Sequence, residues 1–275
     1  MEDSKNKFIR IQADKIREKC TTSKYGIINL FKDCEKLGYK LIRYPIGENS
    51  ELGFTIKKND DIVIFTNSSS RLSREIFTLA HEIGHVVLHF NKNESFVDNV
   101  ETISENDLDE KEKEANYFAA CLLMPDDSVN RFLDIELENF PEKELSVMDI
   151  ARMMSEFNVS FDMALNRLEE LNVITSGQKI KLDSEKIQKK VGNLLRSVGG
   201  NSALNNVSET IYIPYEYIEY VIYNFNHNAI PIETLEKALA YYKLTLDDIS
   251  DQITQKYKED DNTENLDDLL RGLKD

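Results

Sequence analysis

Residues 72–90 read LSREIFTLAHEIGHVVLHF, and the apolar positions of this stretch decide how the chain is built around it. Ile76, Phe77, Leu79, Ala80, Ile83, Val86, Val87 and Leu88 cover most sides of a helix, which places the segment at the centre of a domain. Three of the chain's four histidines, His81, His85 and His89, lie on it. His81-Glu82-Ile83-Gly84-His85 is an HExxH sequence, and residues i and i+4 stand one turn apart on one helical face. Two imidazoles so placed reach a single ion with bonds of about 2.0 to 2.1 Å. Glu82 sits roughly 100° round the helix, beside that face, where it meets a water at the metal without displacing it. Two histidines and a glutamate on so apolar a helix are costly to desolvate, and a metal satisfies all three together.

Working outward, SSSRLSRE at 68–75 supplies capping chemistry for the helix. Three strand candidates precede it, at 39–46, 52–58 and 61–67. The last two read as a hairpin across Asn59-Asp60. Two amphipathic helices are expected within residues 5–37, a polar loop at 91–109, a helix at 109–124 ending at Pro125, and a polar connection at 126–145. A helix-turn-helix pattern follows at 148–174, and it is echoed 85 residues later. Ile150, Met153, Phe157 and Ser160 align with Leu235, Ala238, Tyr242 and Thr245. The break TSGQK after Ile174 is the best sequence candidate for a domain boundary. The fold class is therefore α+β, mainly helical with a small three-stranded sheet. The expected organisation is a metal-bearing domain at 1–130, a helix-turn-helix segment packed on it at 131–178, and a helical interaction region with an acidic tail at 179–275.

A third metal ligand has to come from elsewhere. The spacing places His89 a turn too far along the axis to share an ion with His81, in an outer or structural role. The metzincin pattern is excluded, because Leu88 and Asn91 stand where it needs Gly and His. On DEKEKEANYFAACLLMP at 109–125, Glu114 shares the apolar stripe of Phe118, Cys121 and Leu122, whereas Glu112 points largely away. A carboxylate on a buried stripe costs several kcal/mol unless compensated, which selects Glu114, with Glu110 in reserve and Cys121 as a core cysteine. Two His and one Glu leave a coordination position open, the arrangement of a catalytic zinc site, and Mn2+ or Fe2+ would also suit these donors.

FTLAHEIGHVVLH at 77–89 with EANYFAACLLMP at 114–125 resembles the ImmA/IrrE metallopeptidases, gluzincin-like enzymes of bacteria and their mobile elements. IARMMSEFNVSFDMALNRLEELNVI at 150–174 looks like that family's helix-turn-helix segment. The resemblance covers about residues 25–175 and implies a zincin-like catalytic domain with His81, His85 and Glu114 as metal ligands and Glu82 as general base. It further implies site-specific cleavage of a DNA-binding helix-turn-helix repressor of a phage, mobile element or stress response. Ile76 departs from the family's usual basic residue, and residues 180–275 match no functional motif.

Charge narrows the partners. Lys and Arg total 34 against 50 Asp and Glu, a formal charge of -16 over 275 residues, which repels phosphates and anionic lipid and favours a basic protein. The alternative of a DNA-binding regulator with a metal-sensing site meets this obstacle within the helix-turn-helix itself. There Arg152 and Arg167 face Asp149, Glu156, Asp162, Glu169 and Glu170. A toxin–antitoxin type interaction protein is a further alternative. Cys20, Cys34 and Cys121 are widely spaced with no CxxC pair, which fits reduced thiols and a cytoplasmic location. No export signal is visible, and no apolar run approaches the roughly 20 residues of a membrane span.

Overall fold

A computed structural model describes residues 2–58, 61–90, 105–137, 140, 142 and 144–254. The Asn59-Asp60 turn, most of the expected 91–109 loop and the acidic tail from 258 lie outside the described residues. The chain divides into two compact units, Met1–Ile213 and Pro214–Asp275. This division coincides with neither boundary expected from sequence, at 130/131 and at 178/179.

In the first unit α1 (Glu2–Arg17) and α2 (Leu30–Lys36) precede a sheet of β1 (Lys40–Tyr44), β2 (Gly53–Lys58) and β3 (Asp61–Asn67) in the order β1-β3-β2. β2 and β3 pair antiparallel as the hairpin the sequence predicts, while β1 pairs parallel with β3. Side chains alternate across β2. Phe54 stacks on Phe65 and Ile56 is exposed on one face, while Thr55 turns to the other, opposite Ile64, which is fully buried. That second face receives α3 (Leu72–His89), whose Leu79, Ala80 and Ile83 are completely buried. The sequence expectation of a central helix holds.

The first turn of α3 is fixed by a buried ion pair. Arg43 Nε and Nη2 each donate to Glu75 at 2.8 Å, Thr66 Oγ1 donates at 3.0 Å, and Ser208 Oγ at 2.7 Å. Glu75 is 0% exposed, so removing Arg43 strands a charge. Arg43→Ala is expected to destabilise the fold by about 3–5 kcal/mol in a denaturant melt, against a far smaller loss for the paired Arg43→Met/Glu75→Leu variant.

Beyond α4 (Glu105–Leu123), the stretch expected as a polar connection is helical from Asp126 to Glu136, as α5. Its Val129, Phe132 and Leu133 are buried at helical spacing. α6 (Val147–Phe157) and α7 (Phe161–Glu170) form the expected helix-turn-helix, with Asn158 left-handed at the turn and Ser160 capping α7. TSGQK lies inside the first compact unit. Thr175 and Gln178 form a capping box that starts α8 (Ser176–Lys189), and α9 (Val191–Ser197) follows. The chain then returns to the sheet: Arg43 and Tyr212 exchange backbone hydrogen bonds of 2.8 and 2.9 Å on the open side of β1.

In the second unit α10 (Glu216–Asn226) and α11 (Ile232–Tyr241) share a core of their own around Val221, Phe225, Leu235 and Leu239. The sequence echo stops short here. After α11 a 3-10 turn, Asp247–Gln252, stands where a second α-helix is expected. No helix among the described residues is long and apolar enough to cross a membrane.

Candidate metal centre

The centre depends on how closely α3 and α4 approach each other. A Cβ placed on Gly84 would lie 3.0 Å from Phe118 Cδ1 and 3.2 Å from Ala115 Cα, so the glycine of the HExxH sequence is where the helices touch. One turn before Ala115 on α4 stands Glu112, and the histidines flank Gly84 on α3. The crossing thus brings the three side chains together.

His81 Nε2 and His85 Nε2 are 2.9 Å apart, and the carboxylate of Glu112 is 3.2 and 3.1 Å from them. Ligand atoms of His81, His85 and Glu112 all fall within 4.8 Å of one another. Asn116, one turn along α4 from Glu112, places Oδ1 2.9 Å from His81 Nδ1. An amide oxygen there accepts from a ring proton on Nδ1, the tautomer that leaves Nε2 of His81 free to bind an ion. A lone pair, a second ring nitrogen and a carboxylate turned to one point can hold a cation between them, and two nitrogens with one oxygen are donors that zinc, manganese and iron accept. The histidine side chains are 13 and 14% exposed, Glu112 is 55% exposed, and burial pushes the imidazole of His85 down to about 3, with His81 adding to it. This favours the neutral ring, the state that binding a metal requires.

The ring nitrogens face a cleft of about 580 Å³ lined by Leu52 to Thr55 of the β2 segment, Phe77, Phe90 and the residues above. Glu82 is 7% exposed beside it and accepts from Thr55 Oγ1 at 2.8 Å through Oε2, leaving Oε1 uncommitted to that bond. Burial pushes its carboxyl up to about 7, against the opposing pull of Thr55. Gly53 allows β2 to lie this close: a Cβ there would be 2.5 Å from Thr78 Cγ2 and 2.9 Å from Phe65 O. Gly53→Ala is expected to cost about 1–3 kcal/mol in thermal or denaturant melts and to leave metal affinity unchanged, because the donors come from α3 and α4 and not from β2.

Residues 34–169 match the family described as the IrrE N-terminal-like domain, a stretch that contains α3, α4 and all three strands. Through this segment the chain belongs to the ImmA/IrrE metallopeptidase family. It is 23% identical over 137 residues to metallopeptidase ImmA of Bacillus subtilis strain 168, covering 50% of this chain and 78% of that protein. Over 93 residues it is 36% identical to an uncharacterized immunity region protein 2 of Bacillus phage phi105, covering 34% of this chain and 54% of that protein. The chain thus spans about half the length of the phage relative.

Within this ImmA/IrrE segment the structure brings His81, His85 and Glu82 together as their spacing predicts, and it sets Glu114 apart from them. Glu114 does not reach the paired nitrogens. Its Oε2 is 3.1 Å from His89 Nε2, and its Oε1 pairs with Lys5 of α1. Burial alone would raise its carboxyl, but hydrogen bonds from Lys5 and His89 outweigh that and hold it below the usual range. The apolar stripe used to choose it identifies the face that packs, and Glu112, at the rim of the crossing, is not on that face. The reserve candidate Glu110 pairs with Lys5 at 3.2 Å, and Cys121 is a buried core thiol. Sequence reasoning missed Asn116 and Thr55. Asn116 carried a signal, since it stands four residues after Glu112 on one face, and Thr55 carried none.

Proposed function

We propose that this protein is a metal-dependent endopeptidase in which His81 Nε2, His85 Nε2 and the Glu112 carboxylate hold one divalent ion. Zinc is the first choice, with Mn2+ or Fe2+ as alternatives. The convergence of those three donors within 4.8 Å carries the reading, supported by membership of a metallopeptidase family. When bound, the ion supplies Lewis-acid chemistry to a peptide carbonyl and a water. Thr55 fixes Glu82 through Oε2, so Oε1 takes the proton of the attacking water and passes it to the departing amine. β2 pairs only with β3 among the described residues and borders the cleft. Its outer backbone suits an extended peptide segment, which aligns by main-chain hydrogen bonds whatever its sequence.

The substrate we assign is a basic, folded protein, a helix-turn-helix repressor encoded nearby, and the protein acts in the cytoplasm. The charge of -16 steers such a partner, and a phage immunity-region relative points the same way. Mixing metal-loaded protein with the neighbouring repressor and with casein, then mapping fragments by mass, tests this. One or a few cuts in the repressor are expected. Multi-site digestion of casein would indicate a general peptidase instead.

Direct DNA reading finds little support in the side chains. Arg167 is 1% exposed and donates to Met124 O, Asp126 and Glu170 inside the fold, while Arg152 pairs with Asp149 at 3.1 Å. On α8, Lys179, Lys181, Lys186 and Lys189 are each paired with a carboxylate. A gel shift near physiological salt is expected to show weak binding without sequence preference. A sharp preference would restore the regulator alternative.

A further inference from the structure

We infer that His89 and Glu114 are positioning residues, an outer hydrogen-bond chain that holds the ring proton of His85 on Nδ1 so that Nε2 faces the cleft with its lone pair free. This rests on the metal-centre reading above. His85 Nδ1 lies 3.0 Å from His89 Nδ1, and His89 Nε2 lies 3.1 Å from Glu114 Oε2. Two neutral proton patterns place a single proton between the facing Nδ1 atoms. In the first, His85 Nδ1–H donates to His89 Nδ1, and His89 Nε2–H donates to Glu114. In the second, His89 carries its proton on Nδ1 and turns a bare Nε2 lone pair onto a carboxylate at 3.1 Å. The second is repulsive, and the His89 side chain is only 5% exposed, so water cannot relieve it. Glu114 therefore selects the first pattern two rings away. Lys5 closes the chain by pairing with its other oxygen.

The same helix treats both histidines alike. Asn116 fixes the proton of His81 directly, and Glu114, two residues before it, fixes that of His85 through His89. Such outer partners orient a ligand ring and raise its basicity, and losing one typically costs about 10–100-fold in metal affinity. This explains a buried third histidine and a buried-side carboxylate that hold no ion themselves.

The test uses the full chain, with zinc affinity measured by competition against a chromogenic chelator and imidazole tautomers read by long-range nitrogen–proton NMR of the metal-free protein. In the unaltered protein His85 is expected to carry its proton on Nδ1 before any metal is added. His89→Ala and Glu114→Ala are expected to lose about 10–100-fold in zinc affinity while still binding one ion at saturation. Glu114→Gln, whose amide oxygen accepts the same bond, should recover most of that loss. A proton on His85 Nε2 in the metal-free unaltered protein overturns the inference without any variant, so a variant that fails to fold leaves it testable. Zinc affinity unchanged in both alanine variants also overturns it. His81→Ala separates the two readings: if it keeps zinc, the metal centre itself is wrong, whereas if it loses zinc and His89→Ala does not, only the outer chain fails.

Discussion

Glu82→Gln is expected to keep one ion per chain and to lower cleavage of a protein substrate by about 10²–10⁴-fold, the range over which a positioned general base contributes. Glu82 is not among the three converging donors, so the ion stays. Glutamine has the same shape, and its amide oxygen still accepts from Thr55 Oγ1, which now donates at 2.8 Å to the carboxylate. What it lacks is a basic oxygen for the water proton. At 7% exposure, bulk water does not stand in for it. Elemental analysis beside fragment mass spectrometry reads both halves of the prediction, and undiminished cleavage with the ion in place would remove Glu82 from the mechanism.

Glu112→Ala is expected to weaken metal binding by more than the ~100-fold that bounds the loss of an outer partner, because it deletes the single anionic donor of the three. The side chain is 55% exposed, so the metal-free fold should keep its stability to within about 0.5 kcal/mol. Affinity would then fall without the protein unfolding. Chelator competition in parallel with a denaturant melt checks the pair. Tight binding by Glu112→Ala together with none by Glu114→Ala would return the third ligand to the position that the apolar stripe suggests.

The contrast between Glu112 and Glu114 shows where reading a sequence stops. His81, Glu82 and His85 were legible because a helix fixes their relation by periodicity alone, and the apolar sides of α3 gave its limits and central place. Which carboxylate joins the two histidines depends on which side of α4 meets α3, and a crossing made by Gly84 and Ala115 leaves no large apolar signature. Local pairing was also readable: the β2–β3 hairpin follows from adjacent strands. The parallel β1–β3 pairing joins segments separated by a whole strand, and nothing local specifies it. In α5 the signal was present but masked, since Val129, Phe132 and Leu133 recur at helical spacing among polar residues. TSGQK reads two ways for a chemical reason, because the residues that break a chain are also those that cap a helix, as Thr175 does for α8.

The return of the chain to the sheet at Tyr212 matters to anyone shortening this protein. Trimming it to the family-matching stretch, which ends at residue 169, would remove the strand-like contact on Arg43 and the hydroxyl of Ser208 from the carboxylate of Glu75. It would bare the outer backbone of β1, a ready template for pairing between molecules. Such a fragment should retain His81, His85 and Glu112 and still be adhesive, clumping through its sheet at concentrations where the longer chain stays dispersed. The smallest well-behaved version therefore extends to at least Ile213, well past the last residue that any catalytic reading requires.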